Sequence, residues 1–489
     1  YLAFDLGAES GRAVLGRFDG QRLALQEIHR FPNGPVRVQD SLYWNVLNLF
    51  AELKNGLAQA VHQAEGELAA LGLDTWGVDY GLLDRRGELI GQPYHYRDRR
   101  TEGMVERACQ RLPRAEIFGQ TGIQFMPLNT LIQLLAMVEQ QAPALEMADT
   151  LLMMPDLFNF WLTGRKVSEY TIASTSQCLN MTSGAWATDL LQKLGIPTGI
   201  WPEIIQPGSR LGPILPAVVA EIGLQTRLEV IAPGSHDTAS AVAAVPVAEA
   251  QQANYAYISS GTWSLVGMEL KAPIINDQAL AFNFTNEGGV ENTIRLLKNI
   301  GGLWLVQESR RTWAKAGQAY DYGQLTELAA QATPFTALID PDDPSFALPG
   351  DMPARIGDFC RRSGQAVPAG HGQVIRCALE SLALKYRWVI EKAVALTGQK
   401  VEVLHIVGGG SQNRLLNQFA ANATGLPVVT GPVEATAIGN ILLQMLALGD
   451  LASLSEGRAL LRNSFPVETY EPQQDQAWQA AYRRFLDLI

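Results

Sequence analysis

Gly234-Ser235-His236-Asp237-Thr238-Ala239-Ser240 stands almost at the midpoint of the 489-residue chain. An apolar run, Leu228 to Ala232, precedes it, and an Ala/Val-rich segment, Ala239 to Val247, follows. That order reads as a buried strand, a tight turn and the start of a helix. Pro233-Gly234 supplies the turn. Ser235 or Asp237 is then placed to cap the helix, because a short polar side chain there accepts from the orphan N–H groups of the first turn. The plain reading of Asp237 is an N-cap. The sharper one is a carboxylate held at a helix start, where it can take a proton from a bound molecule.

Outward from this centre, the two halves open alike. Tyr1 to Arg12 and Ala13 to Phe18 read as two strands, the turn Asp19-Gly20 follows, and Gln21 to Arg30 reads as a third. A helix is expected from Asn45 to about Gln63, with Val46, Leu49, Phe50, Leu53, Leu57 and Val61 on one face. Leu71 to Tyr80 reads as a strand plus loop. This succession makes an α/β lobe with a mixed sheet. The second half repeats the opening with Asn254 to Leu265, a strand-turn-strand, and a third strand over Thr293 to Leu297. Helices are expected over Leu303 to Lys315, Gln373 to Leu396 and Leu415 to Thr424, and a strand over Val401 to Val407. Between the openings, Leu151 to Gly164 reads as a core helix closed by its glycine. The best domain boundary is Ala244 to Gln252, giving lobes over 1–244 and 245–489, the last helix packing back on the first lobe.

Composition excludes several classes. The net charge is −11, and no Lys/Arg-rich run is present, which argues against nucleic acid. No apolar run approaches the ~18 residues that span a membrane. The chain opens inside an expected strand, without Met or a signal-peptide pattern, so a few native residues are expected to be missing. Cys109, Cys178, Cys360 and Cys377 form no C-x-x-C, against zinc and a secreted disulfide scaffold, so reduced thiols in a cytoplasmic protein are expected. Oligomeric state is left open, with a monomer favoured.

Two turns are built for anions. Gly7-Ala8-Glu9-Ser10-Gly11 and Ser259-Ser260-Gly261-Thr262 each join two expected strands. Small residues let backbone N–H groups converge, and hydroxyls add donors. Arg12 adds a fixed positive charge to the first. One turn per lobe makes a clamp for a polyphosphate. Asp5 ends the first strand, either as an ordinary turn-capping residue or as a carboxylate holding Mg2+ through water. A third turn, Gly408-Gly409-Gly410, lies between an expected strand and helix, where a phosphate or flat ligand can approach the backbone. Neither the dinucleotide fingerprint nor the P-loop pattern is present.

With these residues the chain resembles the FGGY carbohydrate kinases, within the larger actin, Hsp70 and sugar kinase fold. The matching stretches are Asp5 to Arg12, Asp74 to Asp79, Tyr96-Arg97-Asp98, Ser235 to Ser240, Ser259 to Ser264, Thr285 to Gly289, Leu297-Lys298-Asn299, His405 to Gly410 and Gly431 to Thr436. They run in family order along nearly the whole chain. The resemblance implies two ribonuclease-H-like α/β lobes with ATP and sugar in the cleft between them. It implies Asp237 as catalytic base, and Ala8, Glu9, Ser10, Gly11, Arg12, Thr262, Gln307, Gly408, Gly409 and Gly410 along the ATP. Gly77, His236, Asp237, Thr238 and Asn299 would contact the sugar, and Asp5 would sit by Mg2+. The activity implied is ATP-dependent phosphorylation of a ketose 1-hydroxyl, L-rhamnulose ahead of L-fuculose; a non-catalytic ATP-binding switch of the same fold is the rival. Ala8-Glu9 stand where many relatives carry Thr, which brings a negative charge toward phosphates. Cys360 and Cys377 resemble a pair that can be disulfide-linked in such kinases.

Overall fold

The computed structural model describes residues 1–64, 67–223, 227–248, 254–473 and 476–489. The chain divides into two compact units. The first is Tyr1–Pro246, Glu269–Leu296 and Ala435–Ser464, and the second Val247–Met268, Leu297–Glu434 and Phe465–Ile489. Part of the boundary stretch read from sequence, 249–253, lies outside the described residues.

In the first unit a mixed sheet of six strands runs Ser209–Pro213, Glu229–Ala232, Ala70–Thr75, Leu2–Leu6, Ser10–Phe18, Leu23–Pro32. The strands from Leu2, Ala70 and Glu229 are parallel; the others pair antiparallel. The three opening strands are as the sequence predicts, and Gly20 takes the positive φ of 94° that their turn needs. The expected amphipathic helix is Val46–Gln63, capped by Asn45, whose Oδ1 accepts from Asn48 N at 3.3 Å. Its Val46, Leu49, Leu53 and Leu57 are buried with Leu2, Phe4, Leu71, Leu73 and Val230 of the sheet. Each fully buried Leu or Val contributes about 1.5–3 kcal/mol over exposure.

The core helix expected over Leu151 to Gly164 is shorter than the sequence reading. Thr150–Met153 is a strand, paired antiparallel with Tyr80–Leu83. The helix begins at Met154, because Pro155 lacks an N–H and is tolerated only in a first turn. Gly164, at φ 79°, ends it as predicted. The edge strand Ser209–Pro213 was not separated from its surroundings by pattern; a bulge between Arg210 and Gly212 breaks its alternation.

In the second unit Tyr255–Ser260 pairs antiparallel with Trp263–Leu270 and parallel with Val403–Val407. Val428–Thr430 continues the sheet in parallel, and Glu468–Tyr470 closes it antiparallel. The central strand thus has one antiparallel and one parallel neighbour, as Leu2–Leu6 does in the first unit, which is the repeat the sequence indicated. Ile294–Gly301, Trp304–Lys315, His371–Thr397 and Arg414–Thr424 stand where a strand and three helices were expected. The last helix, Gln476–Leu486, packs on His371–Thr397 and Arg414–Thr424 of its own unit. The second-half helix that belongs to the first unit is Ala435–Leu448. No helix among the described residues is long and apolar enough to cross a membrane.

Candidate active site

In the first unit, three parallel strands end together and their connections gather the polar residues. Leu6 is level with Thr75, and Thr75 bridges to His236. Ligands of α/β sheets bind outside the carboxyl ends of such strands.

Asp237 is the first residue of the helix Asp237–Ala243. The capping expected of Ser235 or Asp237 is not found. His236 is the N-cap and makes no side-chain cap bond, because the turn is held by the rest of the unit instead. Ser235 O accepts from Thr75 N at 2.9 Å. Ser235 N donates to Glu169 Oε2 at 3.1 Å, and His236 N to Thr171 Oγ1 at 3.2 Å. A Cβ on Gly234 would lie 3.1 Å from Ser240 N, so the chain doubles back where only glycine fits easily.

The Asp237 carboxylate therefore does not cap the helix, and its side chain is 31% exposed. Its Oδ1 accepts from Thr238 N at 2.5 Å and Thr238 Oγ1 at 3.1 Å, and lies 3.3 Å from His236 Nε2. Burial raises its pKa; His236 opposes this and the charge of Asp5 adds to it.

Asp5 is paired in register with Arg12 on one side and Asp74 on the other. Arg12 NH2 binds Asp5 Oδ2 at 2.5 Å. Asp74 is fully buried. Its Oδ2 accepts from Asn440 Nδ2 at 2.6 Å, while its Oδ1 is buried without a hydrogen-bond partner. Burial, then the charges of Asp5 and Asp237, push its pKa well up. Among the described residues no group of three His, Cys, Asp or Glu is placed to hold a metal ion directly. Two neighbouring carboxylates with one orphaned oxygen suit an ion that keeps most of its water, which is how Mg2+ binds beside phosphates.

The turn after Asp5 is closed by Gly7 N donating to Ser10 O at 3.0 Å. Asn33 pins it, donating from Nδ2 to Gly7 O at 2.8 Å and from N to Glu9 O at 3.0 Å. Ala8, Glu9, Ser10 and Arg12 are half-buried, whereas Gly11 is buried against Phe31. Gly77 lies in the connection after Ala70–Thr75, where a Cβ would come within 3.2 Å of Thr175. Next to it Asp79, quoted from sequence without a role, proves to be a buried hub. It accepts from Trp44 Nε1 at 2.6 Å, Gln133 Nε2 at 2.8 Å, Trp76 Nε1 at 3.1 Å and Tyr96 N at 3.2 Å. Burial raises its pKa to about 6 against these bonds.

The second unit repeats the arrangement. Ser259 is level with Val407, so the turns Ser259 to Thr262 and Gly408 to Gly410 follow adjacent parallel strands at one end. They touch closely: a Cβ on Gly410 would stand 2.0 Å from Ser260 Oγ, and one on Gly408 3.0 Å from Ser260 O. Gly408 has φ 84°, and Asn413 caps the following helix by accepting from Leu416 N at 3.0 Å. Thr262 O accepts from Trp304 N at 3.1 Å, which joins the turn to the helix Trp304–Lys315. Gln307 is on that helix, its Oε1 buried without a partner. Asn299, expected among the sugar contacts, belongs to this unit, whereas Gly77, His236, Asp237 and Thr238 belong to the first. Gly410→Ala is expected to part the two turns; if they hold a ligand, as the sequence leads one to expect, the KM for it should rise about tenfold, or about 1.4 kcal/mol, with that of any second substrate unchanged. Steady-state kinetics with each substrate varied would check this.

All four cysteines are free thiols. Cys360 and Cys377, the pair named by resemblance, share a hydrogen bond that lowers the pKa of Cys360 and raises that of Cys377.

Each unit is thus an α/β lobe with polar turns gathered at one end of its parallel strands, and comparison names the class. Residues 1–244 match the N-terminal domain, and 256–448 the C-terminal domain, of the FGGY family of carbohydrate kinases. The chain belongs to that family and is a carbohydrate kinase. It is 46% identical to a rhamnulokinase of Bacteroides thetaiotaomicron, over 100% of this chain and 99% of that protein. It is 43% identical to a rhamnulokinase of Pectobacterium atrosepticum, over 100% and 96%. In structure it is similar to the ligand-bound xylulose kinase of Lactobacillus acidophilus, with TM-score 0.82, 19% identity and coverage of 100% and 96%. The glycerol kinase of Plasmodium falciparum with ADP gives TM-score 0.76 at 16% identity, covering 99% and 96%.

Proposed function

We propose that the chain transfers the γ-phosphoryl group of ATP to the 1-hydroxyl of L-rhamnulose, giving L-rhamnulose 1-phosphate and ADP, in the cytoplasm. The observation that carries the chemistry is Asp237, a part-exposed carboxylate whose Oδ1 is taken up by Thr238 and His236. The choice of ketose rests on full-length similarity to rhamnulokinases.

Phosphoryl transfer needs in-line positioning and charge neutralisation more than covalent chemistry. With Oδ1 held by its neighbours, Oδ2 of Asp237 is the oxygen left to accept the 1-hydroxyl proton as the new O–P bond forms. Gly77, His236, Thr238 and Asn299 orient the ketose. Residues Ala8 to Arg12, Thr262, Gln307 and Gly408 to Gly410 bind ATP, on which reading 1–244 is chiefly the sugar lobe and 245–489 chiefly the nucleotide lobe. Asp5, with Asp74 beside it, would hold Mg2+ through water, and the ion would supply neutralisation of phosphate charge.

Only ionised Asp237 accepts a proton. Its folded pKa is raised above the ordinary 3.8, so kcat/KM for the ketose is expected to fall with falling pH along a limb above that value. A pH–rate profile checks the sign: a limb at or below 3.8 would count against the burial argument. The reading as a whole is tested by coupled ADP release over L-rhamnulose, L-fuculose, L-xylulose and L-ribulose. The highest kcat/KM is expected for L-rhamnulose. Preference for another ketose would replace the substrate, and ADP release indifferent to any ketose would remove the kinase reading.

A further inference from the structure

The stretch Thr285 to Gly289, which matches the family without a role read from it, forms the strand Thr285–Gly288, and its Glu287 lies beside His236. Arg295 stands on the next strand, Ile294–Gly301, fully buried. Burying a guanidinium is costly unless its bonds and charge are matched. Here Nε donates to Gly288 O at 2.8 Å, and NH2 lies 3.2 Å from Glu287 Oε2. The same NH2 makes a hydrogen bond with His236 Nδ1 at 3.1 Å. Glu287 Oε2 is 3.3 Å from that nitrogen.

A guanidinium only donates, so the shorter contact, to Arg295 NH2 at 3.1 Å, calls for Nδ1 as acceptor, whereas Glu287 Oε2 at 3.3 Å would take an Nδ1–H. A neutral imidazole that accepts on Nδ1 carries its proton on Nε2. Nε2 is the atom that faces Asp237 Oδ1 at 3.3 Å. We infer that Arg295 is a positioning residue: it fixes the His236 tautomer, which gives Asp237 Oδ1 a third donor and reserves Oδ2 for the sugar hydroxyl. This deepens the proposed function and rests on the assignment of Asp237 as base. Glu287 balances the guanidinium charge. It is also the acceptor to which an Nδ1–H would turn if Arg295 were lost, and then a lone pair on Nε2 would oppose a carboxylate oxygen.

The test uses the full chain labelled with 15N in its histidine rings, His236 being assigned by loss of its signals in His236→Gln. The wild-type spectrum is expected to show a neutral ring protonated at Nε2. An Nδ1–H ring or an imidazolium at neutral pH would overturn the inference, and the state is read in the wild-type chain, the folded His236→Gln serving for assignment alone. In Arg295→Gln the proton is expected to move to Nδ1, with kcat falling about 10–100-fold, as outer partners cost when they orient metal-bound imidazoles. The KM for ATP should not change. Arg295→Lys, which keeps a donor, is expected to recover most of the rate. A folded Arg295→Gln with wild-type kcat would overturn the positioning role while leaving Asp237 as base. An active Asp237→Asn would instead remove the base, and the spectrum would still report the Arg295–His236 pair.

Discussion

Asp237→Asn is expected to lower ketose-dependent turnover about 10²–10⁴-fold, the usual contribution of a general base, while ketose KM changes only a fewfold. Asparagine keeps the shape, and its amide oxygen can still accept from Thr238 N, as Oδ1 does now. It cannot take a proton from an alcohol at neutral pH. The loss should therefore fall on kcat, the signature of an interaction made only in the transition state. The helix is not capped by this side chain, so its stability should be little altered. Steady-state kinetics with thermal melting as a folding control checks both halves. Loss confined to KM would make Asp237 a sugar-binding residue and no base.

Gly439→Ala is expected to give the largest structural effect. Gly439 is on Ala435–Leu448, the helix that packs against Asp237–Ala243. A Cβ there would stand 1.8 Å from Ser240 O and 2.5 Å from Ser240 C. Those are backbone atoms of the helix that begins with Asp237, so the clash is relieved only by pushing the helices apart. Overpacking usually costs about 1–3 kcal/mol, and a backbone clash of this depth belongs at the top of that range or above it. Displacement of the Asp237 helix should lower kcat as well, since a shift of about 1 Å in a positioned group can cost about 10²-fold. Gly119→Ala is the control, because a Cβ there meets nothing within 4 Å. A thermal midpoint of Gly439→Ala equal to that of Gly119→Ala would contradict the packing argument.

What could be read from sequence was what short-range chemistry dictates. Glycine turns after apolar runs located Gly7 to Gly11, Ser259 to Thr262 and Gly408 to Gly410; the turns themselves proved shorter, since Ser10-Gly11 and Ser259-Ser260 belong to the adjoining strands. Asp237 was placed at a helix start, but as one of two candidate caps. What holds the turn, Glu169 and Thr171, lies more than 60 residues away, and no local pattern joins them. Asp74 was quoted as part of a motif, yet its importance comes from sitting in register with Asp5, which depends on strand pairing. Arg295 carried one signal, a charge within the apolar run Ile294 to Leu297. A charged residue on a buried strand must find a partner, but sequence does not say that the partner is His236.

The most direct measurement is a crystal structure of the chain with L-rhamnulose and a non-hydrolysable ATP analogue. An Asp237 carboxylate oxygen is expected about 2.6–3.2 Å from the 1-hydroxyl oxygen, or joined to it by one water. The 1-hydroxyl bonded to another group, with Asp237 turned away and no water between them, would contradict the account.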